Sequence, residues 1–174
     1  MTLQTRVVGI LTAPRVEWQA IAAEPADVAT LYRTYILVLA AVPAIGRLVG
    51  LTLFGLPSLG LRVALVSYLT AILLPMVAAL VMAKFAPKFG SSGTAADALK
   101  VVAYSATPIW VAGLAFALPL LAPLAMIVGL AYACYLFYLG LPVVMKTPPE
   151  QVVPFGVVSA ITLLVANILL SFLP

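Results

Sequence analysis

The stretch YLFYLGLPVVMKTPP, residues 135–149, passes from an apolar run into a short turn that carries one lysine and paired prolines. Tyrosines followed by an abrupt rise in polarity are typical of a helix that leaves the hydrocarbon core of a bilayer. The apolar run extends back to residue 124, which gives it about the length needed to cross a membrane. The stretch therefore predicts a transmembrane helix that ends at a membrane surface just before Lys146.

The composition extends this interpretation to the whole chain. Of its 174 residues, 65% are hydrophobic and only 8% are charged, whereas roughly a quarter of the residues in a soluble domain are charged. The apolar residues fall into blocks whose length is close to that of a membrane-crossing helix. We therefore predict an all-α polytopic membrane protein, in which a bundle of five transmembrane helices follows a short N-terminal interfacial helix.

The predicted organisation has two parts. Residues 1–30 form an N-terminal segment, and residues 31–174 form the transmembrane domain. No signal peptide is expected at the start, because the first ten residues carry one basic residue and no apolar core followed by a cleavage site. The five predicted spans are residues 31–54, 61–83, 101–118, 124–141 and 154–173.

The short N-terminal helix is predicted to begin near Pro14, since proline is tolerated in the first turn, and to end at Glu24. At the helical repeat, Trp18 and Ile21 fall on one side of it, while Glu17 and Glu24 fall away from that side. Two placements stay open. The helix lies in the membrane interface with Trp18 at headgroup depth, or it packs on the bundle.

Five spans place the two ends of the chain on opposite sides of the membrane. Short loops rich in lysine and arginine stay in the cytoplasm, so we expect the N-terminus there and the C-terminus on the other side. A four-span arrangement fits less well, because it moves Lys146 to the wrong face. The N-terminal side carries Arg6, Arg15, Arg33, Lys84, Lys88, Lys100 and Lys146, and the other side carries Arg47 and Arg62.

The residue types argue against several kinds of function. The chain has no histidine and a single cysteine, Cys134, so we expect no metal site, no cofactor and no disulfide framework. Every Asp and Glu lies outside the predicted spans, which argues against ion-coupled transport. No hydroxyl or thiol has a visible base partner, so we do not expect an enzyme. The basic residues are spread over the loops, so we expect no nucleic-acid partner.

Aromatic and hydroxyl side chains near the cytoplasmic ends of the third and fourth spans form the main candidate site. Two interpretations stay open: an interfacial aromatic belt, which is common at this depth, and a lined pocket for a lipid headgroup or a partner's helix. Pro108 favours the pocket, because a proline frees a backbone carbonyl about one turn earlier, near Tyr104. Together with two basic residues, the candidate contacts for lipid or a partner are Arg47, Tyr104, Thr107, Pro108, Tyr135, Tyr138 and Lys146.

Arg47 is the one charge well inside an apolar run. At a rise of 1.5 Å per residue it lies roughly 24 Å along the first span, which brings it near the far membrane surface. We expect its side chain either to snorkel to that surface or to meet an ion partner or a lipid phosphate inside the bundle.

Two rows of small residues are predicted to be seams for close contact between helices. Helices in lipid gain little from the hydrophobic effect when they associate, so close packing at small residues is what holds them together. The rows are Gly46 with Gly50 in the first span, and Ala125, Gly129 and Ala133 in the fourth.

Three groups of residues have the order and spacing of a known family: Ile10–Pro14 with Trp18 and Glu24-Pro25, Tyr104–Pro108 with Trp110, and Tyr135–Pro148. They resemble the Yip family, the Ypt/Rab-interacting five-helix membrane proteins, and in particular its short bacterial members. The resemblance implies a five-helix bundle with a cytoplasmic N-terminus in a bacterial inner membrane. Eukaryotic relatives are associated with Rab GTPases, vesicle formation and membrane shaping. This sequence has no Asp-Leu-x-Gly-Pro element of their kind, so GTPase binding is not carried over.

The function expected from these observations is that of a non-enzymatic integral membrane protein. We predict a scaffold or accessory subunit that binds membrane lipids, another membrane protein or a second copy of itself. The alternative, from another class, is a passive carrier of lipid or a small solute along a path between the helices.

Overall fold

The computed structural model describes residues 2–118 and 120–171, and these residues are all-α. Five helices long and apolar enough to cross a membrane follow two short N-terminal helices within the described residues. The predicted fold class, a five-helix membrane bundle behind an N-terminal helix, is confirmed. Met1, Pro119 in the predicted turn after the third span, and residues 172–174 at the end of the fifth lie outside the described residues.

The two short helices, α1 (Leu3–Thr12) and α2 (Pro14–Ala23), form what we call the N-terminal cap. The sequence predicted only the second of them. Thr2 begins α1 by accepting a hydrogen bond from the backbone N–H of Thr5, which satisfies one of the free donors of the first turn. The five spans are Val28–Leu53, Pro57–Phe89, Ala95–Ala117, Ala122–Val144 and Pro149–Leu169.

The third span begins earlier than predicted, at Ala95 instead of residue 101, because Thr94 starts a helix there. The Thr94 hydroxyl accepts from the backbone N–H of Asp97 at 3.2 Å, and the Asp97 carboxylate accepts from the backbone N–H of Thr94 at 2.9 Å. This reciprocal pair is a capping box. The earlier start brings Lys100, predicted in the loop, into a helix where it is buried.

The third span is the most buried of the five and contacts the first, second and fourth spans. It is broken into Ala95–Ser105, Thr107–Ala112 and a short 3-10 turn, Gly113–Ala117. Pro108 lies just after the break and has no N–H to donate. The hydroxyl of Thr107 supplies a donor in that region, at 2.7 Å from the carbonyl oxygen of Tyr104, so the carbonyl that the sequence predicted to be freed has a partner.

Glycines let the first and third spans meet backbone to backbone. A Cβ atom on Gly46 would overlap the carbonyl oxygen of Gly113, and one on Gly113 would lie 2.5 Å from Pro43 Cβ. In the fourth span, a Cβ on Gly129 would lie 3.0 Å from the carbonyl oxygen of Pro108. Both predicted small-residue seams therefore form inside the bundle, between spans of the same chain.

The end of the fourth span is hydrogen-bonded to the loop that precedes the third span. Lys146 adopts a left-handed conformation, with φ at 53°, as residues that follow a helix commonly do. Beside it, the carbonyl oxygen of Met145 accepts from the backbone N–H of Ser92 at 3.1 Å. The hydroxyls of Ser91 and Thr147 are hydrogen-bonded at 2.8 Å. The polar turn that follows the fourth span is therefore held in a fixed position.

The substitution Gly46→Ala tests the seam. The added methyl group forces the first and third spans apart at Gly113, and we expect the free energy of unfolding to fall by about 1 to 3 kcal/mol, as overpacking usually does. Unfolding in detergent, followed by circular dichroism, measures this. The matched control is Gly156→Ala, whose Cβ would have its nearest neighbour at 4.0 Å. Equal stability of the two variants would contradict the close approach.

Candidate functional site at the N-terminal end of the bundle

A buried ion cluster centred on Arg6 joins the N-terminal cap to the bundle. Arg6, in α1, is 5% exposed, and its Nη1 atom donates to the Glu17 carboxylate of α2 at 2.5 Å. Its Nη2 atom bonds to the carboxylate of Glu24, and the guanidinium carbon lies 5.6 Å from the centre of the Tyr104 ring. A buried charge is tolerated only when it is paired. Arg6 therefore fixes α1, the end of α2 and the third span relative to one another.

Lys100 of the third span binds the C-terminal end of α2. Its ammonium group donates to the backbone carbonyl oxygen of Ile21 at 3.1 Å and to that of Glu24. The last carbonyl groups of a helix have no partner within the helix, and a cation at this end also interacts favourably with the helix dipole. Lys100 thereby satisfies free acceptors of α2 while its own charge is removed from the lipid.

Trp18 anchors the middle of α2. Its side chain is fully buried, and its indole packs edge to face against Tyr104, with ring centres 6.3 Å apart. Gly140 of the fourth span makes room for it, because a Cβ there would lie 2.7 Å from the indole ring. The hydroxyl of Tyr132 donates to the carbonyl oxygen of Leu11 at 2.8 Å. Of the two placements left open by the sequence, the structure has α2 packed on the bundle.

The sequence placed Glu17 and Glu24 away from the side of α2 that carries Trp18, but Glu17 is nevertheless buried. Glu17 is 7% exposed. Its side of α2 faces α1, and the guanidinium of Arg6 compensates the charge. Helical periodicity in α2 alone does not reveal a second helix that covers its polar side.

Beneath the cap, a short hydrogen-bonded relay joins the first and third spans. The hydroxyl groups of Tyr35 and Thr107 are 2.6 Å apart, and Thr107 donates to the carbonyl oxygen of Tyr104. A hydroxyl has one proton to give, so Tyr35 is the donor in its bond to Thr107. The Tyr35 ring also packs against that of Tyr104, with centres 4.6 Å apart.

A cleft of about 360 Å³ opens beside this relay, between the N-terminal cap, the first span and the third span. Two cations and two carboxylates line it, so its charges balance. Its opening is polar and its base is aromatic. This combination suits a small polar group such as a lipid headgroup. The polar residues of its lining include Arg6, Glu24, Asp27, Thr30, Lys100 and Tyr104.

Asp27 lies at the rim of the cleft, just before the first span. A hydrogen bond from the Thr30 hydroxyl, with further bonds from backbone N–H groups and the charge of Arg33, holds the pKa of the Asp27 carboxyl below its ordinary value. A lowered pKa stabilises the fold above the ordinary pKa of the carboxyl, and this contribution is lost as the pH falls through the folded value. Asp27 is therefore ionised at neutral pH and caps the first span through the N–H of Ala29 at 3.0 Å.

The structure brings together only some of the residues predicted for the site. Tyr104, Thr107 and Pro108 are buried under the N-terminal cap. Tyr135 and Tyr138 are 41% and 53% exposed, and point outward from the fourth span, where the aromatic-belt interpretation would place them. Lys146 is exposed in its turn, and Arg47 lies near the other end of the first span.

Sequence reasoning did not assign Arg6, Glu17, Glu24, Lys100 and Tyr35 to the site. Arg6 and Glu17 belong to separate helices, and their pairing depends on the turn between them. The sequence pattern predicts Lys100 in the loop before the third span, because a lysine commonly ends a span. The one available signal for it was the capping sequence at Thr94, which places Lys100 within the second turn of a helix.

Comparison with known protein families matches the Yip1 domain to residues 8–171. The matched residues include α2, the five spans and most of the site, whereas Arg6 lies just before them. Searches of curated proteins and of solved structures found no match. The match agrees with the resemblance stated from the sequence and covers nearly the whole chain.

Replacing Arg6 tests the ion cluster. Arg6→Gln leaves Glu17 buried without a counterion, and losing one partner of a buried pair costs about 3 to 5 kcal/mol. We expect α2 to separate from the bundle and expose Trp18. In a Trp110→Phe background, where Trp18 is the remaining tryptophan, its emission should shift to longer wavelength. Arg15→Gln, at an exposed position of α2, is the matched control and should leave the emission unchanged.

The hydrogen bonds that join Tyr35, Thr107 and Tyr104 predict which of two further variants is the less stable. Thr107→Val removes both the acceptor of the Tyr35 hydroxyl and the side-chain donor to Tyr104, and leaving buried polar groups unpaired costs about 1 to 3 kcal/mol. Tyr35→Phe leaves the bond from Thr107 to Tyr104 in place and should cost about 0.5 to 1.5 kcal/mol. Unfolding in detergent compares them, and the reverse order would contradict the assigned donor.

Proposed function

The chain belongs to the Yip1 domain family, and from this membership and the geometry above we propose that it is a non-enzymatic membrane scaffold or accessory subunit. The family is generally one of non-enzymatic membrane trafficking proteins. The proposed ligands are membrane lipids, another membrane protein or a second copy of the chain. The proposed binding region is the N-terminal end of the bundle, where the cleft and the cap form a polar surface.

One observation carries this proposal. Most of the charge buried in the protein, that of Arg6, Glu17 and Lys100, holds the cap onto the spans. The N-terminal end of the bundle therefore has a polar surface of fixed shape at the membrane boundary. Such a surface suits the binding of a lipid or another protein. Such a surface does not by itself move a substrate or make and break bonds.

The positions of the carboxylates support a role other than ion-coupled transport. Glu17 and Glu24 pair with Arg6, Asp97 belongs to the capping box, and Asp27 bonds to Thr30. Glu150 is exposed at the start of the fifth span. No carboxylate in the described residues therefore occupies the middle of a span, where a coupled transporter binds its driving ion.

The alternative function, a passive carrier, has less support from the packing. The cleft at the N-terminal end and a second cavity near Arg47, at the other end of the bundle, share no lining residue. Between them, Gly46 and Gly113 bring the first and third spans into backbone contact. Vesicles reconstituted with the protein should therefore show no lipid or solute flux above that of empty vesicles.

We also propose a bacterial inner membrane as the location, with the N-terminus in the cytoplasm. The charge bias of the loops supports this orientation. Two exposed serines provide a matched test: Ser58, in the first turn of the second span, and Ser92, in the loop before the third.

In a Cys134→Ser background, we expect a membrane-impermeant maleimide added to intact spheroplasts to label Ser58→Cys and to spare Ser92→Cys. Both variants should react after lysis, which controls for thiol reactivity. Labelling of Ser92→Cys alone in intact spheroplasts would reverse the proposed orientation.

The scaffold function is tested by purification of the tagged chain from its native membrane in a mild detergent. We expect it to be recovered with a defined lipid, a protein partner or a second copy, at a fixed ratio. Arg6→Gln should reduce this ratio at least about threefold, because it detaches the cap, and Arg15→Gln should not. A monomer that retains nothing, and whose recovery neither variant changes, would overturn the proposal.

A further inference from the structure

Arg47 is a cation inside the bundle to which the described residues supply neither an anion nor a hydrogen-bond acceptor. All five carboxylates of the chain belong to the described residues, and none forms a salt bridge with Arg47. Its Nε atom is enclosed by protein and has no hydrogen-bond acceptor among the described residues. Its two Nη groups donate no hydrogen bond to any described residue either. A guanidinium held in an apolar span without an anion is costly, so this site differs from the closed cluster around Arg6.

The guanidinium is held in a defined orientation. Its central carbon lies 4.4 Å from the centre of the Phe116 ring, near the end of the third span. The attraction between the cation and the aromatic ring holds the group beside Phe116. With Nε enclosed, the Nη groups are the donors left for a ligand.

The cavity beside Arg47 has the shape and lining for an apolar chain next to the charge. It has a volume of about 340 Å³ and lies between the first span, the end of the third and the start of the fourth. Apart from Arg47, the residues that line it are apolar, and they include Leu51, Phe54 and Met126. Phe54 is 66% exposed, so the cavity is open on its outer side.

The depth of the site matches that of a lipid phosphate. Arg47 lies six residues before Leu53, the end of the first span, which is roughly 9 Å along the helix axis. The guanidinium lies over the ring of Phe116, whose backbone lies against Gly50, three residues nearer that end. An arginine side chain reaching out from this depth meets the boundary between hydrocarbon and headgroups.

We propose that Arg47 and the cavity beside it bind an anionic glycerophospholipid, with the phosphate on the Nη groups and an acyl chain along the apolar lining. Two neighbouring Nη donors match two phosphate oxygens, which is the pairing that arginine makes best. A free phosphate ion would leave the apolar lining uncovered, and a lipid covers both parts. The site lies at the opposite end of the bundle from the cleft, so it does not rest on the proposed scaffold function.

The test is native mass spectrometry of the full chain in detergent, titrated with phosphatidylglycerol and, separately, with a diacylglycerol of the same acyl chains. We expect one tightly held phosphatidylglycerol and at least about tenfold weaker binding of the diacylglycerol, which lacks the phosphate. Equal binding of the two lipids would overturn the proposal, since the cavity would then bind acyl chains alone. Competition by inorganic phosphate at concentrations similar to that of the lipid would also overturn it in favour of a free anion site.

Three variants connect the binding to Arg47. Arg47→Gln should weaken phosphatidylglycerol binding about tenfold, and Arg47→Lys, which keeps the charge but loses the planar pair of donors, about threefold. Arg62→Gln is the matched control, an exposed arginine near the same membrane surface, and should stay within about twofold of the parent. Equal losses at both arginines would show general surface attraction and overturn the proposal.

The unfolding temperature of each variant is measured alongside. If Arg47→Gln does not fold, Arg47→Lys and Phe116→Leu decide the result, because the second removes the stacked ring and keeps the charge. Unchanged phosphatidylglycerol binding in both would overturn the proposal. A dimer whose formation depends on Arg47 in lipid-free detergent would also overturn it, in favour of a second protein chain as the partner.

Discussion

The buried guanidinium of Arg6 is the group on which the shape of the N-terminal end depends. It bonds to carboxylates at the beginning and at the end of α2 and lies against the Tyr104 ring. A buried ion pair adds little net stability compared with apolar packing, but breaking one is expensive. Arg6 therefore acts mainly by excluding other positions of the cap, because any displacement of α1 leaves Glu17 without a counterion.

Inside the bundle, the hydrophobic effect does not favour one helix contact over another. Which helices meet therefore depends on how closely their backbones can pack. Gly46, Gly113 and Gly129 let three spans approach through their backbones. The break at Pro108 would leave polar backbone exposed to lipid, and the protein avoids this by burying the third span among its neighbours and by placing the Thr107 hydroxyl on the Tyr104 carbonyl. The third span can be irregular because the other spans cover it.

Much of the fold could be predicted from the sequence. The contacts between helices could not, because they depend on the angles between the helices. Composition and block length were enough for five apolar helices, but the third begins at Ala95, six residues before its predicted start, because Thr94 and Asp97 form a capping box. A spacing of three puts Tyr135 and Tyr138 on one helix face, but spacing alone does not tell which face meets the bundle. The neighbouring Leu136, which is fully buried, shows that the tyrosines are on the other one.

The charges in and near the membrane are distributed unequally between the two ends of the bundle. At the N-terminal end, Arg6 is paired with two carboxylates of the same chain, and Lys100 donates hydrogen bonds to free carbonyl groups of α2. At the other end, Arg47 has an aromatic face beneath it and no anion from the described residues. A charge left unpaired by its own chain within a span is costly unless its surroundings supply a partner. In the proposal made for Arg47 that partner is a phospholipid, whereas at the N-terminal end the carboxylates that pair with Arg6 belong to the protein itself.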